Sequence, residues 1–120
     1  MIKSKSIQLK REEGDGVRIC VMRYVRPEYD YDEWWQDLAP SARLLRSYRN
    51  GETDWEEYER RYLAEIEDKG GLLRRLALMS AQQDVTLLCW ELDDRRCHRR
   101  LLLEKIKELQ GSGCASGHWD

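Results

Sequence analysis

Five side chains near the C-terminal end carry the chemistry most worth placing: Cys89, Glu91, Cys97, His98 and Arg99. A thiol beside an imidazole is a nucleophile–base pair, so Cys89, Cys97 and His98 are the candidate catalytic residues. Cys97 and His98 are expected in the first turn of a helix. Unsatisfied N–H groups and the positive end of the helix dipole favour anions and thiolates there. Arg99 and Arg96 add forked donors suited to a phosphate or carboxylate, and Glu91 could orient an arginine or the histidine. The competing reading is structural: Cys89 as a small buried hydrophobe and Arg99 paired with Glu91.

The same atoms are zinc or iron ligands by type. Their order, a cysteine, seven residues, then Cys-His, is not a standard zinc signature. Adjacent Cys97 and His98 in one helix would also point about 100° apart. The sequence reading therefore assigns no metal and no cofactor. It names no reaction either. A phosphatase loop needs a glycine-rich cradle between its cysteine and arginine, whereas Leu92-Asp93-Asp94 offers no glycine and two acids that repel a phosphate.

Arg95, Arg96, Arg99 and Arg100 with His98 form a basic cluster partly cancelled by Asp93 and Asp94. It is either a solvated surface or a phosphate-contacting patch for nucleic acid. With 21 Lys and Arg against 23 Asp and Glu, the net charge of -2 counts against nucleic acid as a partner. Tyr24, Tyr29, Tyr31, Trp34 and Trp35 crowd into one stretch beside Arg23 and Arg26. They could plug a core in a chain without phenylalanine, or wall a pocket for a planar ligand.

The elements that must position these groups follow from periodicity. Residues 2–11 and Val17–Tyr24 read as strands around the Gly14-Asp15-Gly16 turn, and Val85–Trp90 as a buried parallel strand. In Val17–Tyr24 only the ends carry arginine, Arg18 and Arg23. A short helix is expected over Asp32–Leu38. Another runs from a Ser41 cap through Arg49 and ends at Asn50-Gly51. Thr53-Asp54-Trp55-Glu56 has the capping-box form, with Thr53 at the cap, and Gly70-Gly71 breaks the helix that follows. Leu72, Leu73, Leu76 and Met79 form the next apolar face. Asp93 or Asp94 is expected to cap the last helix, which turns Leu101, Leu102, Ile106 and Leu109 inward. The Trp55, Tyr58 and Tyr62 stripe fills the core or packs a second copy, so monomer and homodimer both stay open.

The predicted fold is α/β: one compact domain over 1–110, a small mostly parallel sheet of about three strands flanked by helices, then a flexible Gly-Ser-rich tail over 111–120 holding Cys114 and His118. If Val17–Tyr24 and Val85–Trp90 are parallel, their carboxyl ends share an edge where ligands of open α/β sheets bind. That edge would bring Arg23, Tyr24 and Arg26 to Cys89, Glu91, Cys97, His98 and Arg99. A length of 120 residues suits one domain. No apolar run approaches the 18 or so residues of a membrane span, and no signal-peptide core follows Met1. A soluble cytoplasmic protein with reduced thiols, no membrane partner and a small anionic ligand is expected.

Three segments resemble a known family. They are Asp32-Glu33-Trp34-Trp35 with Leu38-Ala39-Pro40-Ser41; Trp55 to Leu63; and Val85-Thr86-Leu87-Leu88-Cys89 with Glu91, Arg96-Cys97-His98-Arg99 and Leu101-Leu102. In this order they are similar to the bacterial and archaeal family called domain of unknown function 488. The resemblance implies a compact α/β domain with its site at the Cys and Cys-His-Arg positions. Trp90 departs from the small residue often found between the Cys and the Glu.

Overall fold

The computed structural model describes residues 1–93 and 95–116, with 112–116 described by their backbone alone. Four strands, β1 (Ile2–Ser6), β2 (Val17–Cys20), β3 (Glu33–Trp34) and β4 (Val85–Cys89), run parallel in the order β1-β4-β2-β3. The parallel pairing of β2 with β4 expected from the sequence is present. All five residues of β4 are buried, which accounts for its uninterrupted apolar run.

Side-chain alternation gives the sheet two different faces. Ile19, Val85 and Leu87 point toward four helices: α1 (Ala42–Arg49), α2 (Trp55–Glu65), α3 (Gly70–Gln82) and α4 (His98–Ser116). These contribute Leu44, Tyr58, Tyr62, Leu73, Leu76, Leu101, Leu102 and Ile106 to the main core. Cys20 and Leu88 point the other way, where Met22, Val25, Tyr29 and Tyr31 of the segment after β2 cover them with Ile7. Helices thus cover one face and an aromatic loop the other. The Trp55 stripe is used inside the chain: Tyr58 and Tyr62 are buried, and Trp55 stacks on Tyr58 with centroids 5.3 Å apart.

Several local expectations change. The sheet has a fourth strand because Asp32–Leu38 is not one helix. Asp32 N–H and Trp35 N–H donate to the Arg18 and Cys20 carbonyls (2.8 and 2.9 Å), leaving only a 3-10 turn at Gln36–Leu38. The Asp32 carboxylate is held by Arg18 N–H and Arg11, so it caps nothing. β1 stops at Ser6 rather than residue 11. Asp54 caps α2, accepting from Glu57 N–H at 2.9 Å, while the Thr53 hydroxyl is taken by Ser47. Gly70-Gly71 opens α3 instead of only ending its predecessor. Asp93 accepts the N–H of Arg95, closing a turn ahead of α4 rather than capping it.

α4 continues through Ser116, so 111–116 is helical where composition predicts a tail. Once a helix exists each further residue adds a hydrogen bond, which offsets poor local propensity. His118 and the side chain of Cys114 lie outside the described residues. Among the described residues no helix is long and apolar enough to cross a membrane.

Candidate functional site

The carboxyl ends of β2 and β4 converge on a small cavity of about 140 Å³. β4 ends at Cys89, and the chain returns through a loop to enter α4 at His98. Val21, just past β2, donates its N–H to the Leu88 carbonyl at 3.0 Å, so the two strand ends stay paired. The Val21 carbonyl then accepts from His98 Nε2 at 2.7 Å. A carbonyl can only accept, so Nε2 carries a hydrogen, and the tautomer that keeps this bond has its lone pair on Nδ1. That lone pair lies 3.6 Å from Cys89 Sγ. Tyr62 packs its ring edge-on to the imidazole, with centroids 5.3 Å apart, and anchors its own hydroxyl on the Leu38 carbonyl at 2.6 Å. Backbone and aromatic packing therefore fix both tautomer and ring orientation.

Cys97 completes the floor. The Sγ atoms of Cys89 and Cys97 and a ring nitrogen of His98 all lie within 4.8 Å of one another. The three residues are only 5%, 3% and 5% exposed. A hydrogen bond to Cys89 together with burial pushes the Cys97 thiol well above its ordinary value. The angular objection to Cys97 and His98 sharing a centre does not hold. α4 begins at His98, so Cys97 precedes it and is free of helical spacing.

The walls are basic and aromatic. Arg23 follows β2, Arg49 ends α1 and Arg96 lies in the loop before α4; Glu91 is the single acid lining the cavity among the described residues. Arg23 spends its Nε on the Pro40 carbonyl at 3.0 Å, which holds its position. Among the described residues, no carboxylate lies within ion-pair distance of Arg23, Arg49 or Arg96. Tyr24, Tyr48, Tyr58 and Trp90 form the aromatic part. Burial pushes the Tyr58 hydroxyl far up, so it remains neutral.

Of the residues chosen from sequence, Cys89, Cys97, His98, Arg23, Tyr24, Glu91 and Arg96 line this cavity. Arg26 lies beside it, in an adjoining cavity of about 440 Å³ with Tyr29, and sits 3.7 Å from Glu28. Arg99 is turned away. It is buried, and its guanidinium donates to the carbonyls of Glu91 and Leu92 instead of to the Glu91 carboxylate. The aromatic group divides: Tyr24 walls the cavity, Tyr29 meets Trp90 edge-on, and Trp35 packs against the main core under Arg75. Tyr48, Arg49 and Tyr58 were missed. The only signal for Tyr58 was an apolar helical stripe that also describes ordinary core, and Tyr48 and Arg49 at the end of a short helix carried none.

A family model matches residues 2–110 and is described as the active DUF488-N3 subclade. The chain belongs to this family. The match spans all four strands, the loop 90–97 and α4 as far as Gln110, so every residue of the candidate site lies inside it. A relative, the uncharacterized protein YeaO of Escherichia coli (strain K12), is 28% identical over 114 residues, covering 87% of this chain and 99% of YeaO. No solved structure matches the chain significantly.

Proposed function

We propose that this DUF488-N3 domain binds a small phosphate- or carboxylate-bearing molecule at the carboxyl edge of its sheet, with Cys89, Cys97 and His98 as the groups that meet it. One observation carries the reading. Three arginines from three separate segments, Arg23, Arg49 and Arg96, surround a cavity whose floor is a buried Cys-Cys-His set. Like charges converge at an energetic cost unless an anion brings them together. The adjoining cavity shares Met22, Tyr24, Arg49 and Trp90 with the first, so an organic portion of the ligand would lie against Tyr29 and Trp90. The cavity suits a small molecule rather than a polymer, and the net charge of -2 supports the same choice. We place the protein in the cytoplasm, where reducing conditions keep its buried thiols free.

Calorimetric titration with inorganic phosphate and sulfate at low ionic strength tests the reading. Arg49→Ala and Arg96→Ala should each weaken binding by about tenfold, equivalent to about 1.4 kcal/mol, with unchanged circular dichroism. Wild-type protein that binds neither anion, or variants that bind as tightly as wild type, would sink it.

A further inference from the structure

The floor of the cavity has the arrangement of a metal centre. From ordinary zinc–sulfur and zinc–nitrogen bond lengths, a sulfur and a nitrogen on one tetrahedral zinc ion lie about 3.6 Å apart. Cys89 Sγ and His98 Nδ1 are separated by 3.6 Å. Cys97 Sγ lies within 4.8 Å of Cys89 Sγ and of a ring nitrogen of His98, close enough to take a third corner after a small rotation of its side chain. The histidine is oriented as a ligand requires. Its Nε2–H is committed to the Val21 carbonyl at 2.7 Å, which leaves Nδ1 as the donor atom.

We infer that Cys89, Cys97 and His98 bind one zinc ion through two thiolates and one imidazole, with the fourth coordination position open to the arginine-lined cavity. The chemistry of the set agrees. Two thiolates neutralise a divalent cation in a buried site, and two sulfurs with one nitrogen select a thiophilic metal over magnesium or calcium. Three protein ligands with one open position describe a reactive zinc site rather than a closed structural one. Glu91 is among the same lining residues. The inference deepens the proposed function by giving the anion a cation to bind, but the ligand geometry stands without the anion.

The test is metal content and cobalt spectroscopy. Protein purified under reducing conditions without chelator should carry about one zinc per chain by plasma mass spectrometry. Apo-protein titrated with cobalt(II) should develop ligand-field bands and a thiolate-to-cobalt charge-transfer band that saturate at the same stoichiometry. Cys97→Ser and His98→Gln should each weaken zinc binding by on the order of 100-fold, whereas Cys20→Ala, in the opposite cluster, should keep the full equivalent. Wild-type chains that stay metal-free with their thiols reduced, and give no charge-transfer band, overturn the inference whether or not the variants fold. So does a folded Cys97→Ser protein with undiminished affinity. Zinc retained without sulfate binding would uphold the centre and overturn the anion reading; sulfate binding without zinc would do the reverse.

Discussion

His98 and Arg99 are neighbours in sequence with opposite tasks. His98 turns its Nδ1 to the cavity floor, while Arg99 reaches back and ties down the carbonyls of Glu91 and Leu92. Those two carbonyls belong to the loop that carries Glu91 and Arg96 into position. Its Nε is buried without a partner among the described residues, so the side chain is held for its two outer nitrogens. Arg99→Ala is expected to cost about 2–3 kcal/mol of stability, because the buried guanidinium's charge-assisted hydrogen bonds to the loop are lost. Urea denaturation measures this. Anion titration on the folded fraction should show a smaller loss than Arg96→Ala; the reverse order would mean that Arg99 faces the ligand. The residue types of the site were readable in the sequence. The direction of Arg99 was not, because one arginine beside a Cys-His pair serves equally as ligand fork or loop clamp.

At the scale of elements, two glycines test how tightly turns are built. Gly16 enters β2 at φ 62°, and a Cβ there would meet the Asp84 carbonyl oxygen at 2.0 Å. That carbonyl accepts the Val17 N–H at 2.9 Å and precedes β4, so it cannot yield without breaking the strand pairing. Gly51 ends α1 at φ 77° with nothing within 4 Å of a Cβ. Gly51→Ala should cost only the left-handed conformation, about 1 kcal/mol. Gly16→Ala should cost about 3 kcal/mol or more, since steric overlap adds to the same strain. Chemical denaturation of the two variants compares them directly, and equal costs would rule out the close approach of Asp84. The helix caps at Ser41 and Asn50-Gly51 were correctly placed because capping is local chemistry. The Asp32 region was misread because Arg11 and Arg18 take its carboxylate from far along the chain.

The whole molecule depends on an ion pair inside its loop-covered face. Arg18 has no exposed surface; it donates to Asp15 at 2.7 Å and to the carbonyls of Asp30 and Leu9. Asp15 also receives Lys5, Lys3 and the Glu12 N–H, and its own carbonyl accepts from Thr86 in β4. Burial alone would raise the Asp15 carboxyl. The donors from Lys5, Glu12, Arg18 and Lys3 outweigh burial and hold it far below the usual carboxylate range. A carboxyl depressed in the folded state stabilises the fold above its unfolded value, near pH 4, and that stability drains away as the pH falls below it. Urea midpoints should therefore drop steeply from about pH 4 toward pH 2 in the wild type. Asp15→Asn should lose about 3–5 kcal/mol at neutral pH by stranding Arg18, and should flatten the acid dependence. An Asp15→Asn protein with the wild-type acid profile would remove Asp15 as its source.

By itself the sequence determined the α/β class, the pairing direction of the two inner strands, the Ser41 start and Asn50-Gly51 end of α1 and the thiol–imidazole set. Each rests on information held within a few residues: the period of apolar side chains, the cap, the chemical type. Tertiary structure alone decided that Arg18, read as a strand end, is fully enclosed together with Asp15. It likewise set Arg49 and Tyr58 against the cavity and turned Arg99 from it. It also brought Cys97 and His98 to one centre with Cys89. These outcomes depend on which distant segments pack together, and local periodicity constrains the face a residue occupies without specifying what lies across from it.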